Sequence, residues 1–491
     1  MIFNVFLTSD FASKDNINNR FSVFAALMQS IKKYDKVSKS VEFVWRKVSK
    51  SVSLLRNNPS KSVNMERIVY KKLLEWKNSN NRKPLIINGA RQVGKTWLLK
   101  EFGAKEYKDI AYVSLDKNSV AADVFERDFD TNRIIRQLSA IIGIDIMPET
   151  TLLVLDEIQS CPRAMSSLKY FCEDASQYHV TVAGSLLGIS LHENYSFPVG
   201  KVDMIKVYPM NFDEFLLAMG RDKMQAFLEQ RDYQSINQLS ESFVELLRQY
   251  FFVGGMPGVV AAYASGAGPA AVRQIQKQIL FDYERDFSKH APAQQIARIH
   301  QVWQSVPSQL FKENKKFRYA DLKHGGRAAD FELAIQWLVD AGLVCKVCRC
   351  NEPLLPLKIY EEPSAFKLFA VDCGLLGAMV DAPASQLLIG DNAFREYKGG
   401  LAEQFVFQQM QSHETTAIYY YSSDNSRMEI DFLIQDDANI IPIEVKAGVS
   451  VQSNAFKTYI KQHPELQSIR YSLLPYVKQE NFENVPLFAV R

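Results

Sequence analysis

One stretch constrains this chain more than any other: PLIINGARQVGKTWLL, residues 84–99. A short apolar run, Leu85 to Ile87, enters a loop spaced Gly89, four residues, Gly94, Lys95, Thr96, and the chain leaves it in a helix-compatible pattern. Strand, loop and helix in that order predict a phosphate-binding loop. The glycines permit backbone conformations and a close approach that a side chain would block, so successive N–H groups of Gly89, Ala90, Arg91, Gln92, Val93 and Gly94 can turn toward phosphates. Lys95 reaches the β- and γ-phosphates in this reading, Thr96 offers a hydroxyl to Mg²⁺, and Trp97 continues the helix whose positive dipole end lies beneath the anion. The expected cofactors are ATP and Mg²⁺.

A parallel sheet with flanking helices is expected around that loop, because short apolar runs alternate with helical stretches from Leu85 to about Gly220. IAYVSL (110–115) reads as the second strand, and TLLVLDEIQ (151–159) as a buried strand ending in Asp156 and Glu157. Two carboxylates at the tip of an apolar strand suit a Mg²⁺-nucleotide site, with Asp156 on the metal and Glu157 polarising the attacking water. VTVAGS (180–185) is a further strand, whose tip residue Ser185 is a candidate sensor of the γ-phosphate or a turn cap.

At 491 residues the chain needs several cores. Hydrophobic content of 47% and charged content of 23% are ordinary for a globular protein, and no apolar run is long enough for a bilayer. The opening MIFNVFLTSDF makes a poor signal peptide, and six cysteines without framework spacing point to a reducing cytoplasm. Between Ile31 and Asn64 nine Lys/Arg face two Asp/Glu, while residues 65–491 are mildly acidic, so any nucleic-acid surface must be a local patch. The basic arm, 1–64, is expected to be poorly ordered.

GARQVGKT, LLVLDEIQ, VAGSLL and YPMNFDEF together resemble the prokaryotic AAA-like P-loop ATPases that carry a C-terminal nuclease-like domain of unknown function. The resemblance continues through FVGGMPGVV, YERDFSKH, FAVDCGLLGAM, LAEQFV, EIDFLI and IPIEVKAG, and so covers residues 65–491. It implies an α/β ATPase core at 65–220, a helical lid at 221–294, a winged-helix segment at 295–380 and a restriction-endonuclease-like α/β domain at 381–491. Where that family has Gly-Arg this chain has Gly200 and Lys201, which keeps the charge and loses the fork; Arg285 is another candidate charge-stabilising group.

Helical patterns at 296–340 precede short strands, consistent with a winged helix that either simply joins domains or, with Lys315, Lys316, Arg318, Lys323 and Arg327 nearby, contacts DNA. Cys345, Cys348, Cys350 and the distant Cys373 make only a weak metal pattern. A second constellation lies further on: Glu403 in a helical stretch, Asp431 in a strand, and Glu444 with Lys446 on one face of the next strand. Charges inside an apolar strand need a partner or a metal. The order resembles the nuclease superfamily marked by Asp followed by Asp/Glu-x-Lys. By that resemblance Asp431, Glu444 and the Val445 carbonyl hold Mg²⁺, Lys446 positions or activates water, and Glu403 supports the metal shell. The leading expectation is an ATPase coupled to a nuclease-like domain acting on nucleic acid. The alternative is a nucleotide-dependent switch or DNA-binding adaptor that does not cut. Partners are expected to include ATP, DNA, and a second copy or another protein, without a membrane.

Overall fold

The computed structural model describes residues 65–184, 187–190, 197–312, 315–385, 395–415, 417–423, 428–448 and 453–491. The basic arm and Ser185 lie outside them. Helix α1 (Tyr70–Lys77) leads into β1 (Leu85–Asn88), and α2 (Lys95–Glu106) starts directly after the glycine loop. Strands β2 (Asp109–Ser114), β3 (Thr151–Asp156), β4 (His179–Ala183) and β5 (Asp203–Lys206) join β1 in a parallel sheet of order β2-β3-β4-β1-β5. Every side chain of β3 and β4 is buried, as strands covered on both faces require.

Parallel strands end at one edge of the sheet, and this alone brings the two nucleotide motifs together. Asp156 of β3 and Ile87 of β1 both register on Ala183 of the strand between them. The loop after Asn88 and the carboxylate of Asp156 therefore share a rim, about 10 Å apart at two strand spacings.

Helix α3 (Phe212–Ala218) begins the passage away from the sheet. Its start is a capping box: Asn211 accepts from the Glu214 N–H at 2.9 Å and Glu214 accepts from the Asn211 N–H at 3.0 Å. A helical segment follows, including α4 (Ser240–Val253) and the long α5 (Pro269–His290). Next come α6 (Ile296–Leu310), α7 (Ala328–Asp340) and a hairpin of β6 (Val344–Cys350) and β7 (Glu361–Ala370).

The hairpin is not a separate body. It forms one end of an eight-stranded mixed sheet, order β12-β13-β11-β10-β9-β8-β6-β7. The further strands are β8 (Ile418–Ser422), β9 (Glu429–Asp436), β10 (Asn439–Val445), β11 (Ser468–Ser472), β12 (Val477–Lys478) and β13 (Phe482–Pro486). β6 lies parallel to β8, with Arg349 opposite Tyr420 and Cys350 opposite Tyr421. Segments 295–380 and 381–491, expected as two domains, thus share a sheet, because β6 satisfies the backbone edge that β8 would otherwise leave bare.

The glycine-rich motifs are explained by one buried carboxylate. Asp372, fully enclosed, caps helix α8 (Cys373–Met379) by accepting from the Leu375 N–H at 3.0 Å. It also accepts from the Gly255 N–H at 2.6 Å and from the Gln408 amide at 3.1 Å. A Cβ on Gly254 would fall 2.1 Å from Asp372 Oδ2, so only glycine allows the approach. Gln408 sits on α9 (Arg395–Ser412), as does Gln409, which accepts from the Phe212 N–H at 2.7 Å. One helix of the C-terminal segment is thereby bonded to the start of α3. No helix among the described residues is long and apolar enough to cross a membrane.

Candidate functional site

The glycine loop has the backbone its sequence requires. Gly89 and Gly94 have φ of 152° and 93°, and a Cβ on Gly89 would stand 2.2 Å from the Val207 carbonyl oxygen. Gln92 takes a left-handed φ of 66° without being glycine. Lys95 is buried and folds back, donating to the carbonyls of Gly89 at 2.7 Å and Ala90 at 2.8 Å. Burial lowers its pKa to about 8, against the opposing charges of Glu157 and Asp156. Thr96 Oγ1 donates to Asp156 Oδ2 at 2.8 Å, so the hydroxyl and the carboxylate stand side by side. These are hard oxygen donors of the kind Mg²⁺ takes, and they fit it.

Asp156 also accepts from Tyr112 Oη at 2.8 Å, a contact from β2 that carries no sequence signature. Glu157 follows with a φ of 53°, a strained conformation for a carboxylate at a strand tip. Its side chain accepts from Gln159 Nε2 at 2.5 Å. Trp97 is exposed at the start of α2.

Residues distant in sequence hold the loop from outside. Arg67, buried, donates to the Val93 carbonyl at 2.9 Å, to the Tyr208 carbonyl at 2.6 Å and to Glu214 at 3.0 Å. Tyr283 of α5 donates from its hydroxyl to the Arg91 carbonyl at 2.8 Å. On the same face of α5, Asp282 accepts from Gln92 at 3.0 Å and Asp286 pairs with Arg91. Arg285 points elsewhere: it is exposed and lies over the Phe281 ring, 5.8 Å from its centre. Lys201 pairs with Glu173 at 2.9 Å.

The comparisons with known proteins agree with the loop. Residues 81–216 match the AAA domain family. This segment is an AAA domain. Two further matches follow the AAA domain, at residues 244–386 and 398–488, and both are to domains of unknown function. No curated protein sequence matches the chain. Among solved structures, the Walker-type ATPase paby2304 of Pyrococcus abyssi is similar at 12% identity and a TM-score of 0.41, covering 64% of this chain and 96% of that one. Cdc6p of Pyrobaculum aerophilum gives 12% identity, a TM-score of 0.24, and 68% and 97% coverage. Aeropyrum pernix ORC1, solved in complex with DNA, gives 14%, 0.22, and 65% and 92%.

The second constellation gathers at the C-terminal sheet. Asp431 accepts from the Val445 N–H at 2.8 Å, and Lys446 pairs with Glu444 at 2.5 Å. Burial, then the charge of Asp431, pushes Glu444 up to about 7 and also raises Glu403. Lys446 is raised because the attraction of Glu444, Asp431 and Glu403 together outweighs its burial. The four groups therefore lie within one another's fields.

Three further groups belong with them and were not legible in the motif. Lys315, one of the basic residues near the winged-helix segment, pairs with Glu403. Lys367 of β7, with no solvent exposure, stands 2.6 Å from Glu429, 3.8 Å from Glu403 and 4.8 Å from the Tyr420 ring centre. Glu429 opens the strand that carries Asp431. The carboxylates are thus met by ammonium groups or a backbone N–H. Among the described residues no three His, Cys, Asp or Glu side chains are disposed to hold a metal ion. Lys446 engages one oxygen of Glu444 and the Val445 N–H one oxygen of Asp431. The cysteines do not form a site either: Cys345, Cys348 and Cys350 lie along β6, and Cys373 is on α8 with its thiol toward the Tyr250 carbonyl.

Proposed function

We propose that this protein hydrolyses ATP at the AAA domain and conveys its nucleotide state to the carboxylate–lysine site of the C-terminal sheet. The observation that carries the first half is the contact of Thr96 with Asp156 beneath a buried Lys95, with Glu157 next in the chain. Thr96 and Asp156 would hold Mg²⁺, which when bound neutralises phosphate charge. Lys95 leaves its two loop carbonyls for the β- and γ-phosphates, and Glu157 orients and polarises the attacking water. The observation behind the second half is the bonding of α9 to both ends. The helix holds Glu403 in the carboxylate–lysine site and, through Gln409, the Phe212 N–H next to the Glu214 capping box.

Two readings of the C-terminal site follow from different observations. Metal-dependent cleavage of nucleic acid is favoured by the convergence of Glu403, Asp431, Glu444 and Lys446. A switch or adaptor that binds without cutting is favoured by Lys315 and Lys367, which already neutralise Glu403. In either reading residues 295–380 act as a winged helix, with α7 and the β6–β7 hairpin presented to DNA or to a partner protein, and the ATPase works in the cytoplasm.

The test has two parts. ATP hydrolysis should be lost in Lys95→Ala and Glu157→Gln; hydrolysis retained in both sinks the nucleotide reading. Cleavage of single-stranded, duplex and branched DNA and of RNA should then be measured with Mg²⁺ or Mn²⁺, with and without ATP, for wild type and Lys446→Ala. Cleavage lost in the variant establishes the nuclease, and absence of cleavage with hydrolysis intact selects the switch.

A further inference from the structure

The carbonyls of the glycine loop fall into two sets. Those of Gly89 and Ala90 accept from Lys95 Nζ, a side chain of the loop's own helix. Those of Arg91 and Val93 accept from outside, from Tyr283 Oη at 2.8 Å and Arg67 Nη1 at 2.9 Å. A trans peptide is planar, so the C=O of one residue and the N–H of the next point in opposite directions. Holding the Arg91 carbonyl outward therefore sets the direction of the Gln92 N–H, and holding the Val93 carbonyl sets that of the Gly94 N–H.

We propose that Arg67 and Tyr283 are positioning residues of the nucleotide site, which turn the Gln92 and Gly94 N–H groups inward to meet phosphate oxygens. Neither residue belongs to the loop, and both lie outside the segment 81–216 that matches the AAA family. The inference rests on the reading of the loop as a nucleotide site.

Each brace is itself built firmly. The Arg67 fork has three acceptors in different directions, the carbonyls of Val93 and Tyr208 and the carboxylate of Glu214. A lysine could not serve all three, because its donors radiate from one atom. Glu214 is fixed in turn by the Asn211 N–H at 3.0 Å and the Ile68 N–H at 2.7 Å. The Tyr283 ring is buried, and its helix also grips the next two side chains of the loop through Asp286–Arg91 and Asp282–Gln92. The strained φ of Gln92 is the conformation such a grip holds in place. A shift of α5 along its axis would therefore rotate the Arg91–Gln92 peptide, so the helical segment is wired to the phosphate donors.

The experiment measures binding of fluorescent mant-ADP and the KM and kcat of ATP hydrolysis in full-length wild type, Tyr283→Phe, Arg67→Met, Arg67→Lys and Lys95→Ala. Tyr283→Phe removes one hydroxyl and keeps the ring, so it tests the idea even where Arg67→Met fails to fold. The expected result is mant-ADP affinity lowered by about five-fold or more in Tyr283→Phe, the size of one net hydrogen bond. Arg67→Met should lose more than Tyr283→Phe, and Arg67→Lys should recover part of the loss. Wild-type affinity in Tyr283→Phe and in a folded Arg67→Met, with binding lost in Lys95→Ala, overturns the inference and leaves the nucleotide site standing. Wild type that fails to bind, or Lys95→Ala that binds as wild type does, overturns both.

Discussion

Replacing Lys367 by Met tests whether the C-terminal charges act as one cluster. The methionine is unbranched and one atom shorter, and it removes the only charge that β7 places there. Of its two carboxylate neighbours, Glu429 is 35% exposed and can turn to water, whereas Glu403 is 4% exposed and cannot. The cost therefore falls mainly on Glu403. Losing one partner of a buried pair costs about 3–5 kcal/mol, and Lys315 remains on the other Glu403 oxygen, so the low end, roughly 3 kcal/mol, applies. For a cooperative unit of about 150–250 residues that is a fall of roughly 6–12 °C in melting temperature.

The loss must also depend on pH. Burial, then the charge of Asp431, already raises the Glu403 pKa, against Lys315 and Lys367. A carboxyl raised on folding carries no penalty below its unfolded value of about 4.3, and the penalty grows as pH rises toward the folded value. Removing Lys367 raises Glu403 further, so the deficit should be larger at pH 8 than at pH 5. Thermal unfolding of both proteins at the two pH values measures this. An equal deficit at both, or none at pH 8, would refute the view that Lys367 eases the ionisation of Glu403.

Asp372→Ala should cost about 3 kcal/mol in urea unfolding, because it strands the buried N–H groups of Gly255 and Leu375 and removes the cap of α8. Gly89→Ala should abolish mant-ADP binding and lower stability by about 2 kcal/mol or more, since the added carbon meets the Val207 carbonyl at 2.2 Å. Arg491→Ala should destabilise more at pH 8 than at pH 5. Burial pushes Asp213 up to about 6 while Arg491, bonded to both its oxygens at 2.9 Å, pulls it back; without the arginine the charged form that dominates at high pH loses its partner. A pH-independent loss in melting temperature would contradict that account.

The nucleotide motifs were legible because each is contiguous. Gly89 to Thr96 and Asp156–Glu157 carry their chemistry within a few residues, and parallel strands can only deliver both to the same rim. Glu403, Asp431, Glu444 and Lys446 were legible as a spacing, and the fold sets their charges within reach of each other. What local reading could not supply is the partner from far away. Arg67, just ahead of α1, and Tyr283 of α5 brace the loop from either side of the AAA match, and Lys367 is one more residue in an apolar run until β7 is paired. Lys315 stood out as a surface charge, and only the tertiary fold turns it onto Glu403. Arg285 illustrates the same limit: a helix offers its neighbours positions 282, 283 and 286 together, and 285 falls on another side.

The pairing of β6 with β8 decides how this chain can be cut. A fragment ending near residue 380 would keep Lys315 and Lys367 but bare one flank of β6; a fragment starting there would keep Glu403, Asp431 and Glu444 and bare β8. Each would present an open row of N–H and C=O groups, a template for stacking with copies of itself. Each would also hold charges whose counterparts are on the other piece. Expressed apart, the two should precipitate; expressed together, they should find each other along that seam and restore one sheet.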